Sequence, residues 1–143
     1  MRMTVIWVLL AMAGLAGCKS LDSDPQYSSP NFLEYNSSGL KFPGKSSGEL
    51  TVVLKNLKDT RCPENVICIQ PGWVELSFLV RDDSDSVRVE ALFYANTEKD
   101  KVKKFQLSGN DYGLRVYQVL PLPQENKNLK LEDYKVGVSV SSL

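Results

Sequence analysis

From residue 49 onward, apolar and polar side chains alternate with period two. In ELTVVLKN, Leu50, Val52 and Leu54 fall on one face. GWVELSFLV groups Val74, Leu76, Phe78 and Val80. SVRVEALFY turns Val87, Val89, Ala91 and Phe93 inward, with Arg88 and Glu90 outward. YGLRVYQVL assigns Leu114, Val116 and Leu120 to one face and Arg115, Tyr117 and Val119 to the other. YKVGVSVS aligns Tyr134, Val136, Val138 and Val140. Each run predicts a half-buried strand. FLEY, GLKF and VKKFQL predict shorter strands suited to sheet edges, where the lysines of the latter two would discourage aggregation.

Turn signals separate the runs: NSSG, PGKSSG, DDSDS, ANTEKDK, SGND and PLPQENKN. No helical stripe exceeds two turns, although NLKLEDYK allows one short turn before the last strand. About seven short strands with regular turns predict an all-β fold over 32–143. The expected form is an antiparallel β-sandwich, with immunoglobulin-like topology as the model case. A small barrel is the second possibility. The sequence has no internal repeat.

The first residues do not belong to this pattern. MRMTVIWVLLAMAGLAGCKS has a cationic Arg2, then an uncharged and mostly apolar run from Met3 to Gly17. That run is short for a membrane-spanning helix, which needs about 20 residues, and it suits the apolar region of a signal peptide. It ends in Leu15-Ala16-Gly17-Cys18, which resembles the lipobox of bacterial lipoproteins. The resemblance implies cleavage after residue 17 and lipidation of Cys18. An ordinary secretory signal with an incidental cysteine is the alternative. Each buried CH₂ contributes about 0.8 kcal/mol, so a multiply acylated cysteine holds a membrane stably. Gram-negative lipoproteins kept at the inner membrane commonly carry aspartate after the cysteine. Here Lys19 follows, which points to the outer membrane.

Residues 18–31 then read as the lipidated cysteine and a flexible linker. KSLDSDPQYSSPN is rich in Ser, Asp and Pro and lacks apolar periodicity. Its 13 residues reach about 40 Å when stretched and span nearer ~20 Å as a coil.

Charge and composition remove other classes. The 143 residues carry 17 basic and 17 acidic side chains. Loss of Arg2 with the signal segment leaves 16 against 17, a net −1. No basic patch speaks for nucleic acid as a partner. There is no histidine, which narrows the chemistry open to the cysteines. Phosphate-cradling glycine loops, nucleophile elbows and dinucleotide fingerprints are absent from the sequence. No cofactor is expected.

Cys62 and Cys68 lie in DTRCPENVICIQPGW. A zinc site needs about four ligands, and this pair supplies two in C-x5-C spacing without histidine. A catalytic thiol needs a base beside it. The third possibility is a disulfide. Export places the domain in an oxidising compartment, and lipidation of Cys18 leaves an even pair. We therefore expect Cys62–Cys68 to staple a turn in which PEN reverses the chain. So small a loop gives a modest entropic gain, about 2–3 kcal/mol.

The segment KDTRCPENVICIQPGWVEL resembles a D-S-R-C-P-x-x-V-x-C-x-W-A-G-x-A segment found in a family of small bacterial lipoproteins and secreted proteins. The tail YGLRVYQVLPLPQENKNLKLEDYKVGVSV is similar to that family's Y-x-L-x-L-x-x-x-x-P-x-P strand, P-x-D-Y and final strand. The resemblance covers most of the chain after residue 49. It implies a small β domain and carries over no particular activity. Two departures stand out. Thr60 replaces the usual serine, and Ile69-Gln70-Pro71-Gly72 replaces the tryptophan-alanine-glycine stretch.

Asp59, Arg61 and Trp73 are the candidate binding residues. Arg61 would contact an anion in a recognition loop. Alternatively it forms a structural ion pair with Asp59 or caps loop carbonyls. Alternation points Trp73 outward beside Glu75, where it would stack on a sugar or anchor a partner; otherwise it packs under the sandwich end or against Pro71. Asp82-Asp83-Ser84-Asp85 offers carboxylates to calcium but lacks the spacing and glycine of an EF-hand loop, so a solvated hairpin turn is expected and no metal. Glu98–Lys104 reads as a solvated loop and edge strand rather than a lipid contact. Tyr112, Tyr117 and Tyr134 read as core or rim.

The sequence therefore predicts a lipid-anchored protein of the bacterial envelope, acting as a non-catalytic binding or structural module. Its partners would be the membrane, through lipid, and an envelope protein or glycan. The alternative is an inhibitor whose stapled loop enters the cleft of an envelope-attacking lysozyme or protease. An enzyme relying on paired carboxylates ranks last, because nothing in the sequence marks out two of them.

Overall fold

Eight strands carry the alternation in the computed structural model, which describes residues 31–45, 48–95 and 102–143. They are β1 (Phe32–Glu34), β2 (Leu40–Pro43), β3 (Glu49–Asp59), β4 (Val74–Arg81), β5 (Ser86–Phe93), β6 (Lys103–Leu107), β7 (Asn110–Leu120) and β8 (Lys135–Ser142). The expected short turn in NLKLEDYK is a single 3-10 turn at Leu131–Asp133. The signal segment, Cys18 and the linker through Pro30 lie outside the described residues, as do Glu98–Lys101. No helix among the described residues is long and apolar enough to cross a membrane.

The strands form two four-stranded antiparallel sheets, ordered β1-β8-β7-β6 and β2-β3-β4-β5. The all-β sandwich is thus as expected, but its topology is not that of an immunoglobulin domain. Apart from the β1–β8 pair, neighbouring strands in each sheet are consecutive in the chain, whereas the immunoglobulin fold interleaves its strands by Greek-key connections. The order resembles an up-and-down barrel flattened into two layers, with the chain changing layers after β1 and after β5. The short strands β1, β2 and β6 all lie on sheet edges, and Lys41, Lys103 and Lys104 are exposed there.

The core lies between the layers. Leu50, Val52, Leu54, Val74, Leu76, Phe78 and Val80 meet Leu33, Leu114, Val136 and Val138. Phe78, at the middle of β4, is fully buried. Burying such a side chain contributes about 1.5–3 kcal/mol.

Two bulges interrupt the alternation, and both matter for the site. In β3 the register shifts between Leu54 and Asn56. Lys55 and Asn56 are both exposed, and Leu57 rather than Asn56 turns into the core. A bulge adds one unpaired residue and so reverses which face later side chains take. Asp59, two residues after Leu57, therefore points inward. In β7 the shift falls between Val116 and Gln118. This corrects the simple alternation there: Val119 is 1% exposed and belongs to the core, and Leu120 leaves it.

At the far end, the β4–β5 hairpin turn is tied to the β6–β7 turn. Asp82 Oδ1 accepts hydrogen bonds from the backbone N–H groups of Ser84 and Asp85. Its Oδ2 accepts one from the Ser108 hydroxyl at 2.6 Å. The Ser108 hydroxyl, followed by the two backbone N–H groups, holds the Asp82 carboxyl well below its usual range. The acidic run is thus a hairpin turn whose first carboxylate is occupied by the turn itself.

The bulge in β7 makes a directional prediction. Val119→Ala should cost about 1–3 kcal/mol through a core cavity, while Leu120→Ala should cost less than ~1 kcal/mol. Urea unfolding of the two variants measures this, and the reverse order would mean the strand keeps plain alternation.

Candidate functional site: the stapled loop and its buried clamp

The connection from β3 to β4, residues 60–73, lies at the same end of the sandwich as the equally long β7–β8 connection, residues 121–134. Its stem continues the strand pairing. Thr60 N–H donates to Trp73 O at 2.9 Å, and the Thr60 hydroxyl bonds both Trp73 O and Trp73 N. Cys62 N–H then donates to Pro71 O at 3.0 Å. Gly72 has φ +70°, and a Cβ there would overlap the Thr60 carbonyl. The stem can close this tightly only with glycine at that position.

Cys62 and Cys68 are disulfide-bonded, with Cα atoms 6.0 Å apart. Inside the staple, Val66 N–H donates to Pro63 O, so the chain reverses at PEN as the sequence predicts. Glu64 N–H donates to Pro123 O, which ties the loop to the β7–β8 connection. The loop is thus held at its stem, across its waist and on its side.

Under the loop lies an ion pair. The Arg61 side chain is 3% exposed and that of Asp59 6%. Arg61 Nε donates to Asp59 Oδ1 at 2.9 Å and Nη2 to Oδ2 at 2.7 Å, a two-pronged contact. Arg61 Nη1 donates to Val119 O at 2.8 Å and Nη2 to Pro121 O at 2.9 Å. Asp59 also accepts the Arg61 backbone N–H and the Tyr134 hydroxyl. Among the described residues no buried side-chain nitrogen or oxygen lacks a partner. Burial of the Tyr134 phenol, followed by the charge of Asp59 beside it, pushes its pKa up to about 12.

Asp59, Arg61 and Trp73 are therefore not one cluster. The β3 bulge sends Asp59 into the sandwich end, and Arg61 follows it. The Arg61 guanidinium spends its donors on Asp59 and on two carbonyls of the opposite layer, so both structural alternatives are realised together. Trp73 precedes the inward Val74 and takes the outer face, as alternation predicts. Its Nε1 donates to Glu75 Oε1 at 3.2 Å, and its ring lies 6.3 Å from that of Tyr94. Tyr112 and Tyr134 are buried, and half-buried Tyr117 covers Gly137.

The loop's most exposed residues were not among the candidates. Ile67 and Ile69 are fully exposed, at 102% and 103%. A signal was available. Cys68 turns toward Cys62, so in an extended chain both of its neighbours must point away from the loop's interior. Among the described residues no group of three His, Cys, Asp or Glu side chains is placed to hold a metal ion. Compared with protein-family models, with curated proteins and with solved structures, the chain matches none.

Two measurements test the clamp. Arg61→Ala leaves Asp59 buried without its cation and should destabilise the domain by about 3–5 kcal/mol. Arg61→Lys should recover only part of that, because an ammonium cannot reproduce the fork. Equal stability of Arg61→Ala and wild type in urea would remove the clamp from the account. Tyr134 supplies a pH test. Its folded pKa lies above the usual 10.0, so its contribution is complete below pH ~10 and is lost as pH rises toward ~12. Stability in that window should fall more steeply for wild type than for Tyr134→Phe, and parallel curves would count against the buried phenol.

Proposed function

We propose that the chain is a lipid-anchored protein of the bacterial envelope, held at the outer membrane through Cys18, whose domain acts as a non-catalytic binding module. The observation that carries the binding role is the stapled loop with Ile67 and Ile69 fully exposed at its tip. Two aliphatic side chains left in water gain nothing for the fold. Buried against a partner, they would contribute about 3–6 kcal/mol together. The staple and the stem hydrogen bonds fix the loop before binding, which lowers the ordering cost of association. The lipobox and the linker support the anchor, and the linker's reach allows the domain to stand clear of the head groups.

A second reading is favoured by the same loop. A stapled loop exposing two isoleucines among Glu64, Asn65 and Gln70 suits the cleft of an envelope-attacking enzyme, so inhibition of a lysozyme or protease is the specific form this binding would take.

The test uses the domain as bait in envelope extract, beside an Ile67→Asp, Ile69→Asp variant. A specific protein partner should lose at least a hundredfold in affinity with the variant, about 3 kcal/mol. A partner bound equally by both would move the working surface off the loop. Lysozymes and serine proteases assayed in parallel decide the inhibitor reading, which no inhibition of any of them would discard. Separately, Cys18→Ala should release the chain from the membrane fraction; retention there would sink the anchor.

A further inference from the structure

The outer face of the β2-β3-β4-β5 sheet carries a second candidate surface, separate from the loop tip. Strand pairing brings Lys58, Glu75 and Leu92 into one row and Asn56, Ser77 and Glu90 into the next. With Lys103 they line an open groove of about 430 Å³, within the range usual for small-ligand sites. At the groove's end, Trp73 and Tyr94 stand side by side with their ring planes tilted by 41°. Glu75 bridges the two parts: Oε1 accepts from Trp73 Nε1, and Oε2 lies 4.0 Å from Lys58 Nζ.

The chemistry of this surface is mixed in a specific way. Two ammonium groups, Lys58 and Lys103, face two carboxylates, Glu75 and Glu90, so the groove has no net charge. An anion would meet the carboxylates and a cation the ammoniums. The one large exposed aliphatic, Leu92, is too little for a protein hot spot, which needs a dry apolar centre. What the groove offers instead is donors and acceptors within reach of each other: an amide, a hydroxyl, ammoniums and carboxylates. The Asn56, Ser77 and Glu90 side chains make no hydrogen bond within the described residues. Beside them are two aromatic rings with apolar bodies and polar tips. A neutral sugar chain needs this combination, since each hydroxyl both donates and accepts and the C–H face of each ring packs on an aromatic face.

We propose that this face binds a neutral oligosaccharide, with Trp73 and Tyr94 as the stacking end and Asn56, Glu75 and Glu90 as the hydroxyl-reading end. From Trp73 to Ser77 the strand rises about 13 Å, so the site takes a short chain of sugars rather than a single ring. The site does not depend on the lipid anchor or on the loop's partner.

The experiment titrates the full chain, purified in detergent, with four neutral tetrasaccharides: β-1,4-linked glucose, N-acetylglucosamine and mannose, and α-1,4-linked glucose. Calorimetry and tryptophan fluorescence are the readouts. At least one sugar should bind saturably in the millimolar range or tighter. Trp73→Ala and Glu90→Gln should each weaken that binding at least tenfold, and Ile67→Asp should leave it unchanged. Glu90→Gln alters an exposed edge-strand residue and keeps the test decisive if Trp73→Ala impairs folding. The proposal is overturned if none of the four sugars binds, if Glu90→Gln keeps wild-type affinity, or if Ile67→Asp weakens binding as much as Glu90→Gln does.

Discussion

A carboxylate and a guanidinium buried side by side at the end of a sandwich constrain everything near them. Withdrawing two charges from water costs several kcal/mol per ion, and the cost is met only when geometry and hydrogen bonding are complete. Here they are complete because both sheets contribute. Asp59 comes from β3, the carbonyls of Val119 and Pro121 come from the end of β7, and the Tyr134 hydroxyl comes from just before β8. Shifting one layer against the other would leave a charge or a carbonyl unpaired in a dry place. The pair therefore sets the relative position of the two layers at this end, and with it the floor on which the 60–73 loop stands.

That clamp exists only because the alternation is broken twice. Had β3 kept strict period two from Leu50, Asn56 and Lys58 would face the core, and Asp59 would face water. The bulge at Lys55–Asn56 inverts this, bringing Leu57 and Asp59 in. Had β7 kept its period, Leu120 would fill the core in place of Val119. Its bulge is set between Val116 and Gln118, beside Tyr117, whose ring lies over Gly137. An extra residue in each layer thus brings the acid and the carbonyls to the same end.

This explains which features were legible in the sequence. The strands were readable because β4, β5 and β8 hold their period over long stretches and β3 holds its own up to the bulge, while the edge positions of β2 and β6 followed from their length and lysines and that of β1 from its length alone. The bulges were not, because a bulge is a tertiary compromise without a residue signature here: Lys55 is an ordinary surface lysine, and Tyr117 fits either face. The topology was not legible either, since nothing local in a turn separates sequential pairing from a Greek key. At the site, the Cys62–Cys68 disulfide agrees with the expectation drawn from an export signal and an even cysteine pair. Asp59 and Arg61 were readable as a pair, but their burial depended on the unseen bulge. Thr60 illustrates a tolerant position: what its place requires is a hydroxyl to bond Trp73, which serine would also supply. Ile67 and Ile69 were overlooked because the alternation of a stapled loop has no core to reveal it.

The two surfaces that result face different chemistries, and the fold keeps them apart. One stem residue separates them. Trp73 ends the loop and opens the outer face of β4, while Gly72 before it makes the tight turn that closes the stem. On the loop side two exposed isoleucines, flanked by exposed Glu64, Asn65 and Gln70, are held by a covalent staple. On the sheet side the exposed groups are polar, charge-balanced and fixed by backbone pairing between β3, β4 and β5, an arrangement suited to a hydrated ligand. Rigid backbone underlies both. The loop owes its rigidity to the disulfide and to the clamp beneath it, and the sheet face owes its own to the strand ladder. A change that loosens the clamp would therefore disturb the loop first, and the outer face of β4 and β5 only when the sheets themselves come apart.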